Sequence, residues 1–202
     1  MIPRIIHSIW VGPKPRPKFY EGWQRNHPQY EFMFWNEHSI KAARFSLIKH
    51  TEAFLTAGKY HGVADLVRYE VLHRYGGFVA PADSESVSPI DDLLDNDIFA
   101  CYENEEVKPG LVSPHLGSVA GNGLLKIILD DLRSRESITG DPWKVTGNLY
   151  LTEKIKTTCR PIKIYPSHFF IPDHYSGKNY TGDGKIYARH YWGTTRKLYG
   201  KI

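Results

Sequence analysis

This chain of 202 residues has little cysteine, no long apolar run and no block of like charge. Its two cysteines, Cys101 and Cys159, are too few for a disulfide scaffold and lack metal-type spacing, which fits a reducing compartment. No stretch approaches the roughly 20 apolar residues that span a bilayer, so no transmembrane segment is expected. The chain opens directly on the strand-like Ile5-Ile6-His7-Ser8-Ile9-Trp10, without a charged-then-apolar leader, and the expectation is a soluble, cytoplasmic protein. A formal charge of +4 with scattered basic residues lends no support to a nucleic-acid partner. Also missing are a phosphate-cradling glycine loop with Lys-Ser/Thr, a dinucleotide fingerprint, a nucleophile elbow and a paired-histidine zinc helix.

What is present suits one domain over residues 1–202, since that length supports a single proper core and is short for two. Aromatics make up 13% of the chain and are rich in Tyr and Trp, which suits stacking on flat or sugar-like ligands and equally suits core packing. Residues 4–11 read as a strand buried on both faces, stopped by Gly12-Pro13-Lys14-Pro15-Arg16-Pro17. A short helix near Tyr20–Arg25 leads to a strand Glu31–Trp35. Ser39 is the expected N-cap of a helix reaching about His50, followed by a helical piece over Thr51–Ala57. A helix over Gly62–Arg74 is apolar on every side, which predicts burial and therefore partners for Asp65, Arg68 and Glu70.

Gly76-Gly77 stops that helix, and a short strand Phe78–Ala80 runs into an acidic turn. Strands are predicted near Ile98–Glu103 and Leu111–Ala120, an amphipathic helix over Leu124–Arg133, a helix from about Thr146 to Thr157, and a strand Ile162–Tyr165. From about residue 173 the chain becomes a loop-rich tail. Strands alternating with helices in this order predict an α/β fold with a mixed, mostly parallel, Rossmann-like sheet flanked by helices.

The candidate chemistry starts at Asp83 and Glu85, two apart just past a strand. Hard cations such as Mn2+ or Mg2+ take carboxylate oxygens, and one or two protein acids suffice when a substrate diphosphate completes the shell; a solvated acidic turn has the same spacing. Asp65 and Arg68 lie three apart on one helix face. They read either as an intrahelical ion pair or as a fixed carboxylate and guanidinium for hydroxyls and phosphate, with burial favouring the second. Trp10 is placed to stack on a base or to pack in the core. His190, Trp192, Thr194 and Thr195 combine imidazole, indole and hydroxyls in one segment that either closes over a diphosphate or is an ordinary terminal strand and its exit.

Taken in order, the segments resemble the glycosyltransferase family whose sugar-binding region carries a DXD motif. That family includes the yeast initiating α-1,6-mannosyltransferase and, more distantly, the glucosylating clostridial toxins. The resemblance begins at Ile2-Pro3-Arg4-Ile5-Ile6-His7-Ser8-Ile9-Trp10-Val11-Gly12 and continues through Trp23, His27-Pro28-Gln29-Tyr30-Glu31-Phe32 and Trp35-Asn36-Glu37. It takes in Asp65–Gly77, Pro89-Ile90-Asp91-Asp92-Leu93-Leu94, Gly117-Ser118, Thr146–Thr152, Tyr165–Pro172 and His190–Thr195, nearly the whole chain.

The resemblance implies a GT-A fold that binds a nucleotide sugar and a divalent metal, usually Mn2+, and retains the anomeric configuration. It places Trp10 against the base and Asp65 and Arg68 on the donor's sugar and phosphates. Ala82, Ser113, His190, Trp192 and Thr194 join the implied donor site. Asp83 corresponds to the second Asp of the DXD motif, the direct metal ligand, with Glu85 and His190 as further metal candidates; Asp83 and Arg68 are the implied catalytic pair. Three positions depart from the family pattern. Pro81 stands at the first Asp, Ser113 where Asn is usual near the donor sugar, and Thr194-Thr195 where Ser-Trp is common. The expected activity is a metal-dependent retaining hexosyltransferase using a UDP-sugar in preference to GDP-mannose, with a glycan or other hydroxyl acceptor. The alternative is a nucleotide-sugar or glycan binding protein that lost turnover through Pro81. Acceptor choice is expected in Lys14–Lys18, the Glu103–Pro109 loop and the C-terminal tail.

Overall fold

The computed structural model describes residues 1–199. A six-stranded sheet runs in the order β2-β1-β3-β6-β5-β7, formed by β1 (Ile5–Ile9), β2 (Glu31–Trp35), β3 (Gly77–Val79), β5 (Ile98–Asn104), β6 (Lys108–Ser118) and β7 (Lys163–Tyr165). Only β6 opposes the others, pairing antiparallel with both β3 and β5, so the sheet is mixed and mostly parallel. A separate antiparallel ribbon joins β4 (Ser84–Ser86) to β8 (Ala188–His190) and returns the end of the chain to the acidic turn.

Helices cover one face of the sheet: α3 (Ile48–Thr56), α4 (Tyr60–Tyr75), α5 (Gly123–Ser134) and α7 (Asn148–Thr158), with the single turn α6 (Pro142–Val145) before α7. The other face packs against α1 (Phe19–Asn26) and an aromatic stack in which Phe78, Phe99 and Phe170 lie ring on ring. Strand alternation divides these layers, with Phe78 in the aromatic stack and its neighbour Val79 among the helices.

The all-round apolar helix is buried as its sequence requires. Glu70, inside it, accepts hydrogen bonds from the Ser46 hydroxyl at 2.6 Å and the Leu47 amide at 2.7 Å, so its charge caps the start of α3. At the glycine stop, Gly77 has φ of 98°, and a Cβ there would lie 2.5 Å from the Ile5 carbonyl oxygen. No residue but glycine fits where α4 drops into the sheet.

Three local expectations change. Ser39 is not the N-cap of α2 (Glu37–Ala43): Asn36 is, and Ser39 sits at N3 and returns a bond to the Asn36 amide in a capping box. The helix ends at Ala43 because Arg44 turns left-handed, with φ of 50°. The helix predicted from about Thr146 to Thr157 is α7, which starts two residues later at Asn148 because the chain breaks at Thr146-Gly147 after the separate turn α6.

His7 lies at the centre of the sheet with no exposure. Its Nε2–H donates to the Gly76 carbonyl at 2.7 Å, and its Nδ1 accepts from the Trp35 indole at 3.1 Å. Both ring nitrogens are satisfied only when the ring is neutral, since a second proton would face the indole N–H. Burial depresses its pKa from about 6.5 to about 4, against the raising pull of the Gly76 bond. The unfolded chain therefore binds protons at higher pH than the folded one. The contribution is intact above pH 6.5 and lost as pH falls through 4, a difference of about 3 kcal/mol. Urea unfolding measured between pH 7.5 and 4.5 is expected to show stability falling with acid. His7→Gln is expected to flatten that slope; an unchanged slope would show that other groups carry it.

Candidate functional site

A cavity of about 900 Å3 opens at the ends of β1 and β3, between α4 and the returning terminal segment. Open α/β sheets bind ligands at such strand ends. Its walls include Trp10 from the end of β1, Asp65 and Arg68 from α4, Pro81, Ala82 and Asp83 from the acidic turn, and His190, Trp192 and Thr194 from the terminal segment. Residues spread across the whole chain therefore meet in one place.

The acidic turn is built by Pro81, whose carbonyl accepts the Ser84 amide at 3.0 Å. The Trp23 indole donates to the Ser84 carbonyl at 2.7 Å and Asn26 bonds to Ser86, so α1 anchors β4 behind the turn. Asp83 is buried. Its Oδ2 accepts the Gly193 amide at 2.7 Å, its Oδ1 lies 3.3 Å from His190 Nε2, and its carbonyl accepts the Tyr191 amide at 2.8 Å. Burial opposes the charge on Asp83, but His190 and the Gly193 amide outweigh it and hold the carboxyl well below the usual range.

On the facing wall Arg68 is buried, donating from Nη1 to the Pro114 carbonyl and from Nη2 to Asp65 Oδ1, each at 3.1 Å. Its Nε–H has no partner among the described residues. Burial raises the Asp65 pKa to about 6, with Arg68 pulling the other way. The break at Gly147 makes room here, since a Cβ at Gly147 would lie 2.9 Å from Asp65 Oδ2.

Two sequence candidates are not at the cavity wall. Glu85 lies on β4, past the turn that holds Asp83, and accepts the Tyr191 hydroxyl at 2.7 Å. Ser113 is fully buried, within hydrogen-bond distance of Cys101 Sγ at 2.9 Å and His115 Nδ1 at 3.2 Å. Trp10 does face the cavity, its indole donating to the Lys14 carbonyl at 2.8 Å.

The structure adds His115 and Tyr199, which were not singled out, and brings Glu103 and Lys108, from the loop where acceptor choice was expected, to the cavity. His115 is buried behind the turn, 3.0 Å from the Ser84 hydroxyl, and burial, then His190, drive its pKa far down. Tyr199 reaches back into the cavity, its ring edge-on to Trp10 with centroids 4.9 Å apart. Burial and the nearby Asp83 raise its pKa. Glu103 and Lys108, ion-paired at 2.8 Å, also line the cavity. Each is an ordinary residue in the sequence and acquires meaning only from its position. Among the described residues no group of three or more His, Cys, Asp or Glu side chains forms a metal cluster.

Residues 13–100 match the family described as "Glycosyltransferase sugar-binding region containing DXD motif". Two curated relatives from Schizosaccharomyces pombe are similar over 65% of this chain: inositol phosphoceramide mannosyltransferase 2, at 26% identity, and inositol phosphoceramide mannosyltransferase 3, at 32%. The matched part spans only 39% and 37% of those proteins. Among solved structures, the PaToxG glycosyltransferase superposes with a TM-score of 0.61 at 15% identity, over 78% of this chain and 70% of that one. The last likeness establishes the fold, consistent with GT-A.

The Asp83–Gly193 bond has a consequence independent of any ligand. Asp83→Ala is expected to loosen the terminal segment, so that limited trypsin cleavage after Arg196 and Lys197 becomes severalfold faster than in the wild type. Equal rates would show that the β4–β8 ribbon and the bonds of Tyr191 and Trp192 secure it without the Asp83 carboxylate.

Proposed function

From the match of residues 13–100 to the glycosyltransferase family whose sugar-binding region contains a DXD motif, we propose that this chain is a metal-dependent retaining hexosyltransferase. The donor is a nucleotide sugar, UDP-linked in preference to GDP-linked, and the acceptor is a glycan or another hydroxyl compound. The observation that carries this reading is the convergence of Asp83 and His190 with Asp65 and Arg68 on one cavity, where Arg68 keeps a buried N–H unpartnered. A buried donor without an acceptor costs free energy unless a ligand supplies one, and a phosphate or sugar oxygen does so. We take the whole described chain, including the segment after residue 173, as one catalytic unit, and its low cysteine content leads us to place it in the cytoplasm.

The residues present fit a divalent cation with limits. Asp83 and His190 offer an oxygen and a nitrogen donor from the same wall. Hard ions such as Mn2+ or Mg2+ accept one or two protein ligands when diphosphate and water complete the shell. Asp83 and His190 are the residues that would hold it. When bound, the cation supplies Lewis-acid neutralisation of charge on the departing diphosphate. Arg68, itself buried, stabilises the same charge from the facing wall. Asp65 orients Arg68 and accepts a donor hydroxyl. Trp10 stacks on the base, for which Tyr199 must swing aside. In this scheme the leaving phosphate takes the acceptor proton, and no dedicated base is assigned.

Pro81 favours one rival. A protein lacking the first carboxylate of the motif has less to hold the ribose and metal-bound water, so binding without turnover is the second reading. The fungal relatives are named for mannose transfer to inositol phosphoceramide, so GDP-mannose belongs in the donor panel.

With Mn2+ and a panel of UDP-hexoses and GDP-mannose, release of UDP or GDP is expected. EDTA should stop it and added Mn2+ restore it. Asp83→Ala should lower it roughly 100-fold or more, and NMR of the product should show the donor's anomeric configuration. Donor binding indifferent to Mn2+, with no nucleotide released, would favour the rival. The reading fails if no donor is bound, hydrolysed or transferred and Asp83→Ala changes nothing.

A further inference from the structure

We propose that His115, oriented by Ser113, is a positioning residue for the cation site: it holds Asp83 in place through Ser84, packs edge-on against His190, and touches neither cation nor donor. This rests on the hexosyl-transfer reading and adds the support beneath the acidic turn. The strand itself departs from regularity here. Tyr102 of β5 pairs with Val112 of β6, and Ala100 pairs with Leu116, so Ser113, Pro114 and His115 together face Cys101 alone. Such bulges re-aim side chains, are common beside active sites, and admit a proline inside a sheet. This one gives the Pro114 carbonyl to Arg68 Nη1 at 3.1 Å and brings His115 to Ser84. Three residues thus serve both walls of the cavity.

The hydrogen bonds form one line from the sheet to the turn. Burial raises the Cys101 pKa to about 12 and keeps it a thiol. The Ser113 hydroxyl has a single hydrogen, and an imidazole nitrogen is a better acceptor for it than a thiol sulfur. Ser113 therefore takes the Cys101 thiol at 2.9 Å and the His115 amide at 3.3 Å, and donates to His115 Nδ1 at 3.2 Å. That leaves the ring proton on Nε2, donated to Ser84 Oγ at 3.0 Å. The ring is fully buried and stacked on Phe170, with centroids 4.9 Å apart. Its tautomer and its plane are both fixed.

The turn needs this support because Asp83 spends its own carboxylate on the terminal segment, at the Gly193 amide and His190. A cation draws on those same atoms, so the restraint that survives its binding comes from elsewhere. Ser84, next in sequence, is held three ways: its amide on the Pro81 carbonyl at 3.0 Å, its carbonyl under the Trp23 indole at 2.7 Å, and its hydroxyl at His115. The first two use backbone atoms that any residue supplies; the third is specific to the Ser84–His115 pair. Ser84 also stands opposite His190 in the β4–β8 ribbon, and His115 meets the His190 ring edge-on with centroids 5.5 Å apart. One side chain thus restrains the turn and the imidazole together. Partners one layer behind a metal ligand change affinity by about 10–100-fold when removed.

The test uses the full chain with UDP or GDP, whichever the wild type binds. Protein-bound Mn2+ is read by water-proton relaxation enhancement, and nucleotide binding in EDTA by calorimetry. His115→Phe keeps the stack on Phe170 and removes the hydroxyl bonds, Ser84→Ala breaks the shared bond from the other side, and His115→Gln can still donate to Ser84. His115→Phe and Ser84→Ala are each expected to weaken Mn2+ by about tenfold or more, and His115→Gln by less, with nucleotide binding in EDTA unchanged. The double variant is expected to lose no more than the larger single loss, because both changes break one bond. Ser84→Ala is a small change and keeps the test decisive should His115→Phe fail to fold. The proposal is overturned if the variants hold Mn2+ as tightly as the wild type, if the two losses add, or if nucleotide binding falls in step with Mn2+. A wild type that binds nucleotide but no Mn2+ overturns it as well, whereas one that binds neither overturns the hexosyl-transfer reading beneath it.

Discussion

Asp83 joins two parts of the chain 110 residues apart through its bond to the Gly193 amide. That contact helps to close one wall of the cavity. Beside it, the segment from His190 to Thr194 is held by the three-residue pairing of β4 with β8, by the Tyr191 amide and hydroxyl on the Asp83 carbonyl and Glu85, and by the Trp192 indole on the Asp173 carbonyl. Charge-assisted bonds to a carboxylate are worth about 1.5–3 kcal/mol each, comparable to what such a short ribbon contributes. The carboxylate also fixes the side of the turn on which a ligand meets charge. Trp23 and Asn26 from α1 hold the turn from behind, and His115 fills the space beneath it. A residue that reads as a metal ligand is thus also a structural clasp, and the same atoms serve both roles only if a ligand shares or displaces part of the Gly193–His190 arrangement.

The facing wall obeys a different constraint. Helix α4 is buried along most of its length, and a buried helix cannot carry charges unless each is answered. Glu70 is answered by the start of α3, and Arg68 by Asp65 and the Pro114 carbonyl. The Arg68 Nε–H is the one group of that set left over. In the proposed chemistry that leftover N–H is answered by a phosphate oxygen of the nucleotide sugar.

The fold was largely legible in the sequence because its signals were local. Glu31–Trp35 is a strand within the bounds expected, and the apolar surround of Val63, Leu66, Val67, Val71 and Leu72 announced a buried helix that demanded partners. The partners themselves were not legible. That Glu70 caps α3, and that Asn36 rather than Ser39 caps α2, depends on chain geometry that spacing does not specify. In the site, Trp10, Asp65, Arg68, Ala82, Asp83, His190, Trp192 and Thr194 were named and all reach the cavity. Glu85 does not line the cavity: Asp83 sits in the turn before β4, so their two-residue spacing does not bring the pair to one wall, and Glu85 takes the Tyr191 hydroxyl instead. Ser113 was named by position in a family pattern, yet it faces Cys101 and His115 from within β6. Glu103 entered only as the edge of a loop, since nothing in sequence distinguishes a buried acid from a solvated one.

Pro81 can now be weighed on structure as well as on motif. The turn needs its first residue to supply a carbonyl to Ser84, and a proline supplies one as well as an aspartate does. The missing amide costs the turn nothing, and the fixed φ stiffens the approach to Asp83. The substitution therefore leaves the fold of the turn and the placement of Asp83 intact and takes away only a carboxylate from the cavity wall. His190, 3.3 Å from Asp83, is the neighbouring donor left on that wall. In the proposed chemistry Pro81 thus reduces the negative charge facing a bound cation from two carboxylates to one. A site with one carboxylate and one imidazole holds its cation mainly through the donor diphosphate, which couples metal binding to nucleotide binding more tightly than a two-carboxylate site would.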